Sequence, residues 1–234
     1  MINSNLMQNV KFEIFQIEIT SSVITTWIIM LAVLMLSWSV RVSLKGKMST
    51  VQMASEAIVH LIHDTIEGIL PGKGDLLFPF ISTLWIFILL ANLIGLIPGL
   101  SSPTSDLSVT SALAFIVFLS VHWFGIKVEG IKKYLQHYVR PNPVLIPFHI
   151  ISEISRTLAL AIRLFGNVMS LEIAALLVLM VAGALVPIPI LMLHIVEAFI
   201  QTYLFGMLAL IYIAGGIQSQ ELRKQKQRSR YERP

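Results

Sequence analysis

The stretch "IRLFGN", residues 162–167, sets an arginine between "LALA" and "LEIAALLVLM", in surroundings that otherwise read as membrane-buried helix. A charge at the centre of such a helix costs about 2.5–3.5 kcal/mol on insertion scales, so an arginine there asks for a function. Further along, His194, Glu197 and Gln201 recur at i, i+3 and i+7, within roughly 60° of arc on an apolar helix. Glu172 is one more carboxylate in the same region. Glu hands protons on and His titrates near neutral pH, whereas Arg effectively never releases its proton. The chemistry on offer is proton transfer along a polar stripe, with Arg163 as a fixed positive charge among titrating groups. Interhelical hydrogen bonding is the alternative for any one polar group, but three in line plus Glu172 exceed what packing asks for.

At 100° per residue, Ser152, Arg156, Ala159, Arg163, Gly166, Asn167, Ser170 and Ala174 share one stripe, and most are small. Small residues let another membrane helix approach closely, so Arg163 is expected at a contact surface. Glu172 lies nine residues on and faces elsewhere. Arg163 has only Ala159, Leu160, Gly166 and Asn167 at neighbouring helical spacings. Arg156 differs: Glu153 stands three residues earlier on the same side, so neutralisation for packing and a secondary role in translocation both remain open.

The elements that must position these residues follow from composition. Hydrophobic residues make up 56% of the 234 and charged ones only 13%. That is the profile of an all-α polytopic membrane protein, with about five membrane helices and little chain left for a globular domain. Cysteine is absent, which excludes disulfides, Cys-ligated zinc, iron–sulfur clusters and thiol nucleophiles. Residues 1–19 form an outer N-terminal segment with no signal-peptide pattern. Membrane helices are expected over 20–40, 76–98 and 108–126. Over 48–70, Glu56, His60, His63, Asp64 and Glu67 oppose Ile58, Val59, Ile62, Ile66 and Ile69, which predicts a cytoplasmic interfacial amphipathic helix.

After a basic connection at 127–142 come two long apolar segments, 143–185 with Arg163 and 188–217 with His194, Glu197 and Gln201, then a basic tail at 218–234. Both long segments exceed the hydrocarbon thickness, so they are expected as a tilted antiparallel hairpin joined by "VPIP" at 186–189. Counting from Val186, Glu172 and His194 would lie at depths differing by roughly six residues or 9 Å.

Fourteen of the seventeen Lys and Arg fall on alternate connections and the tail, whereas 99–107 and 183–189 hold none. The positive-inside rule then puts the C-terminus in the cytoplasm and the N-terminus outside. The basic tail has neither a folded basic face nor base-reading groups, so no nucleic acid is expected, and membrane lipids suffice as its partners.

At these residues a likeness appears. "RLFGN" with a Glu nine positions after the Arg, "HIVEAFIQTYLF" with its "AFIQ", and "ANLIGLIPG" at 91–99 together resemble subunit a of the F-type ATP synthase over nearly the whole chain. The resemblance implies a non-catalytic, proton-translocating stator subunit of the membrane sector. Its implied partners are a c-subunit ring, subunit b of the peripheral stalk and the other synthase subunits, with H⁺ as the transported ion and no cofactor. By position it makes Arg163 the essential arginine, which keeps each ring carboxylate ionised between two aqueous half-channels and blocks direct leak. It makes Glu172 and His194 the outer half-channel pair and Gln201 the glutamine near the arginine, with Asn167 completing "RLFGN" and Glu197 fitting a spacing that varies among members. The implied location is a bacterial inner (plasma) membrane.

Other features carry less. His60, His63, Asp64 and Glu67 have metal-ligating side chains, but the polar face of an interfacial helix explains them, and no metal is expected. "PGKGD" at 71–75 lacks the first glycine and the Ser or Thr of a phosphate loop. Asn92 is expected to make interhelical hydrogen bonds, and Asp106 to be solvated in a turn-rich loop. A stand-alone secondary transporter for a small solute or ion would show two similar halves with interrupted helices, and the polar hairpin occurs once. A purely structural scaffold leaves the aligned ionisable groups unexplained. The charge pattern yields the first prediction. Single cysteines at positions 103 and 186 should label from outside and one at 228 only from inside; labelling of 228 from outside would reverse the topology.

Overall fold

The computed structural model describes residues 10–14, 17–43, 50–97, 102–131, 146–182 and 188–231. Among these, five helices are long and apolar enough to cross a membrane. Three are of ordinary length: α1 (Ser21–Ser43), α3 (Gly74–Ile94) and α4 (Leu107–Glu129). The amphipathic α2 (Thr50–Ile69) precedes α3. The hairpin consists of α5 (Ile146–Ala182), 37 residues, and α6 (Ile188–Tyr231), 44 residues. At 1.5 Å per residue these are about 55 and 65 Å long, well beyond a hydrocarbon core of about 30 Å.

Three features depart from the expected layout. A two-stranded antiparallel hairpin, β1 (Val10–Ile14) and β2 (Ile17–Thr20), occupies the N-terminal segment. Its sequence alternates apolar and polar residues, Val-Lys-Phe-Glu-Ile and Ile-Glu-Ile-Thr, which is the period of a strand. The basic tail continues α6 as helix to Tyr231, because Glu, Leu, Arg, Lys and Gln after Gly216 are good helix formers and no proline interrupts them. The loop before α4 is folded inward: Pro103–Ser105 forms a 3₁₀ turn in which Pro103 and Thr104 are buried, as is Ser102. Position 103 is therefore a poor labelling site, and half-exposed Leu107 is the better outer probe; position 186 lies outside the described residues.

The core lies between α2, α3, α4, α5 and α6. Ile66, Leu77, Ile81, Ile88, Leu164, Leu210 and Ile213 are all inaccessible within it. The apolar side of α2 divides, with Ile62, Ile66 and Leu70 packed inward and Ile58, Val59 and Leu61 exposed. Its polar side secures the next turn: Glu67 Oε2 accepts from the Gly72 amide at 2.7 Å, and His63 Nε2 lies 3.5 Å from Asp75 Oδ1. Helix α1 is peripheral. Thr25 and Ile29 are buried, while Trp27, Leu31, Leu34, Met35 and Trp38 are each more than half exposed, as suits a helix facing lipid or another membrane helix.

Two contacts fix the register of the α5–α6 hairpin. Asn167 Nδ2 donates to Gln201 Oε1 at 2.7 Å, and the Arg156 guanidinium lies 5.7 Å from the Tyr212 ring centroid. Eleven residues separate the two positions on each helix, which is close to three full turns, so both contacts fall on one side of a straight pair. Helix α3 is keyed to α6 by shape. The indole of Trp85 fills the space where a side chain on Gly206 would stand, and it stacks on Tyr203 with centroids 6.1 Å apart. Lipid gives no hydrophobic drive between helices, so close approach at small residues of this kind supplies the packing energy.

Candidate functional site

The hairpin register revises the expected depths. With Asn167 level with Gln201, Glu172 falls level with Val196, only two residues or about 3 Å from His194. The estimate of roughly 9 Å fails because it took Val186 as the apex. Pairing Asn167 with Gln201 instead puts the point midway between the helices at 184.

Arg163 and Glu172 leave α5 on different faces, as their phase requires. Arg163 is exposed, and so are Ser152, Arg156, Ala159 and Ser170 on the same stripe. Gly166 has open space where its side chain would be. On the packed side of α5, Leu160, Ala161, Leu164 and Val168 are buried against the bundle. The cation thus stands on an outward face of small residues. Arg156 shares that face, and Glu153 has turned away from it, its Oε2 lying 3.7 Å from His122 Nε2 of α4. The pairing of Arg156 with Glu153 that the i, i+3 spacing suggested gives way to the aromatic face of Tyr212, a neighbour only in the folded hairpin.

Glu172 reaches the 3₁₀ turn. Its Oε1 accepts from the Ser102 amide at 3.3 Å, and Ser105 Oγ closes the turn by donating to the Ser102 carbonyl at 2.7 Å. Ser102 Oγ donates its one hydrogen to the Ala91 carbonyl at 2.7 Å, and the Thr104 hydroxyl oxygen lies 2.7 Å from it. Thr104 Oγ1 donates to Asn92 Oδ1 at 2.6 Å. The backbone carbonyl of Asn92 in turn accepts from the His194 ring. Between Glu172 and His194 stand the Ser102 amide, the Ser102 and Thr104 hydroxyls and Asn92. Gly95 permits this: a Cβ there would lie 2.9 Å from Ser102 Cβ and 3.2 Å from Glu172 Oε1.

On α6 the three stripe residues face inward to different degrees. His194 and Gln201 are buried at 3% and 1% exposure, and Glu197 is half-buried. His194 Nε2, Asn92 Nδ2 and Gln201 Nε2 are enclosed without a hydrogen-bond partner among the described residues. Buried polar groups are normally paired, so each of these has hydrogen-bonding capacity to spare.

Comparison with known proteins decides the family. Residues 23–214 match the family model described as ATP synthase A chain. The chain is 60% identical over 216 residues to ATP synthase subunit a of Legionella pneumophila (strain Corby), covering 92% of this chain and 94% of that protein. It is 54% identical over 213 residues to ATP synthase subunit a 2 of Pelobacter propionicus, covering 91% and 93%. It is 50% identical over 217 residues to ATP synthase subunit a 1 of Hahella chejuensis, covering 93% and 92%.

The chain belongs to the ATP synthase subunit a family. It is a multi-pass membrane protein of that complex, and residues 23–214 include every candidate site residue named from the sequence.

Sequence reasoning missed the hydroxyl turn and undervalued Asn92 and Asp106. Asn92 is fully buried and bridges Thr104 to His194, while Asp106 caps α4, its Oδ1 accepting from the Ser108 amide at 2.9 Å. Thr104→Val keeps the volume but strips Asn92 Oδ1 of its donor in a fully buried site. It should destabilise the fold by about 1–3 kcal/mol and lower proton transport, with Thr104→Ser much milder. Thermal unfolding in detergent and vesicle acidification would measure both, and an unchanged Val variant would remove the bridge from the site.

Proposed function

We propose that this chain is the proton-translocating stator subunit of an F-type ATP synthase, non-catalytic by itself, in a bacterial inner membrane with its C-terminus cytoplasmic. A ring of c subunits turns against the outward stripe of α5. Arg163 holds each passing ring carboxylate ionised and separates two aqueous half-channels. The outer one includes Glu172, Ser102, Thr104, Asn92 and His194, with Glu197 beside His194. Asn167 and Gln201 set the hairpin on which Arg163 is presented. Subunit b of the peripheral stalk and membrane lipids are the other expected neighbours, and H⁺ is the ion.

One observation supports this most: the fixed cation faces out along small residues, while the titrating pair faces in. A guanidinium that faces only lipid is costly, and a carboxylate on a facing helix would offset that cost. An inward relay keeps protons away from lipid until they reach the contact surface. With Arg163 as the barrier, Arg163→Ala should abolish proton-driven ATP synthesis and leave assembly largely intact, since one side chain is a small part of the contact. Arg163→Lys should be nearly as damaging, because lysine loses the planar fork and deprotonates when desolvated, whereas Arg156→Ala should be much milder. Wild-type synthesis in Arg163→Ala proteoliposomes would end the proposal.

The bridged pair generates a second test. Glu172→Gln and His194→Gln should each slow turnover with coupling retained, since the Arg163 barrier is untouched. The exchange Glu172→His with His194→Glu should recover part of the loss, because a path through hydroxyls needs titratable groups more than a fixed order. Full flux in both single variants, or an exchange no better than two independent losses, would make the two residues separate packing groups.

A further inference from the structure

A second ionisable cluster lies on the other side of Arg163. Glu153 is ten residues before it on α5, about 15 Å away, whereas Glu172 is nine residues after it, so the two carboxylates flank the arginine at nearly equal distances. Glu153 Oε2 sits 3.7 Å from His122 Nε2, and the side chains are 23% and 29% exposed. The other ring nitrogen of His122 is spoken for: Nδ1 lies 2.9 Å from the Phe118 carbonyl, which can only accept, so Nδ1 carries the hydrogen. Nε2 is then the nitrogen that gains and loses a proton, and it is the one aimed at the carboxylate.

A cleft between α4, α5 and α6 runs alongside, lined by Val117, Glu153, Arg156, Thr157, Leu160 and Tyr212 among others. It extends from Glu153 to Leu160, about 10 Å along α5, and ends three residues short of Arg163. The pair borders this cleft, whose lining runs toward the fixed cation. Arg156 of α5 and Tyr212 of α6 line the same cleft, and His149 stands one helical turn before Glu153 on α5.

We propose that Glu153 and His122 form the relay through which this chain exchanges protons with the cytoplasmic side. The inference rests on the reading of Arg163 as the barrier beside a carboxylate ring. A neutral ring carboxylic acid gives its proton along the cleft to the Glu153 carboxylate and is left ionised. Glu153 passes the proton to Nε2 of neutral His122 and returns to carboxylate. The imidazolium releases it to cytoplasmic water and returns to neutral imidazole. Arg156, its guanidinium over Tyr212, holds positive charge at the cleft wall without joining the transfer.

The assembled synthase in proteoliposomes tests this, with pH varied on one side at a time. Glu153→Gln should lower turnover about tenfold or more and alter the dependence on cytoplasmic-side pH, leaving the outer-side dependence unchanged; Glu153→Asp should restore most of the rate. His122→Gln should act in the same direction. Wild-type turnover in both Glu153→Gln and His122→Gln, or an equal change in both pH dependences, would overturn the relay. Should Glu153→Gln fail to assemble, Glu153→Cys decides, because the chain has no cysteine of its own. A charged thiol reagent on the cytoplasmic side should label it and stop transport; full labelling with transport intact, or labelling only from outside, counts against the proposal. Arg163→Ala run in parallel separates the failures: normal coupling there would sink the barrier itself, whereas an inactive Arg163→Ala beside a normal Glu153→Gln sinks only the relay.

Discussion

The hydrogen bond between Asn167 and Gln201 is the contact on which the site depends. In lipid a buried amide has few partners to choose from, so a 2.7 Å bond between two of them across a helix pair fixes one register against its neighbours. A slip of one residue would turn each helix by 100° relative to the other and part the amides. That register puts Arg156 over Tyr212, carries Glu172 to within about a turn of the depth of His194, and keeps Leu160, Leu164 and Val168 on the packed side. The outward aspect of Arg163 is thus a result of what its neighbours bury. Among the described residues no hydrogen bond or ion pair holds the arginine there, and its position is set by the packed side of its own helix.

The same economy governs the polar interior. Ser102 and Thr104 are completely buried, and their hydroxyls satisfy the Ala91 carbonyl and the Asn92 side chain while the Ser102 amide meets the Glu172 carboxylate, so the turn fills an apolar region with paired polar groups and adds no charge to it. Gly95 makes room for the carboxylate at the end of α3, where any larger residue would meet it. A polar interior built this way stays close-packed.

Much of this is legible in the sequence, for reasons that differ by residue. Arg163, His194 and Gln201 stand out because ionisable or amide side chains at helical spacing are conspicuous in an apolar run. The long hairpin is legible because its apolar segments outlast a bilayer. The hydroxyl turn is not. "SSPTSD" has the composition of any solvated loop, and its burial depends on Glu172 arriving from 70 residues away in the chain. Asn92 is conspicuous yet ambiguous, since a hydrogen-bonding asparagine and a path-forming one look alike until Thr104 and His194 are seen on either side of it. The depth of Glu172 against His194 was misjudged because a proline marks a turn without marking its centre. The partner of Arg156 was misjudged because spacing along one helix says nothing of an aromatic ring on the next.

The Trp85 indole in the notch of Gly206 bears on how the bundle carries load. A flat ring seated in a gap that admits no side chain works as a key in a keyway: α6 can neither slide along α3 nor roll against it without first lifting the indole out. Tyr203, also on α6, stacks on the same indole. A sideways push on the hairpin is therefore passed to α3 as a compressive force, and from there to α2 through Ile66 and Leu77, so that these helices deflect as one stiff body. For a part that must stand still while another turns beside it, a joint with no play matters as much as any charge.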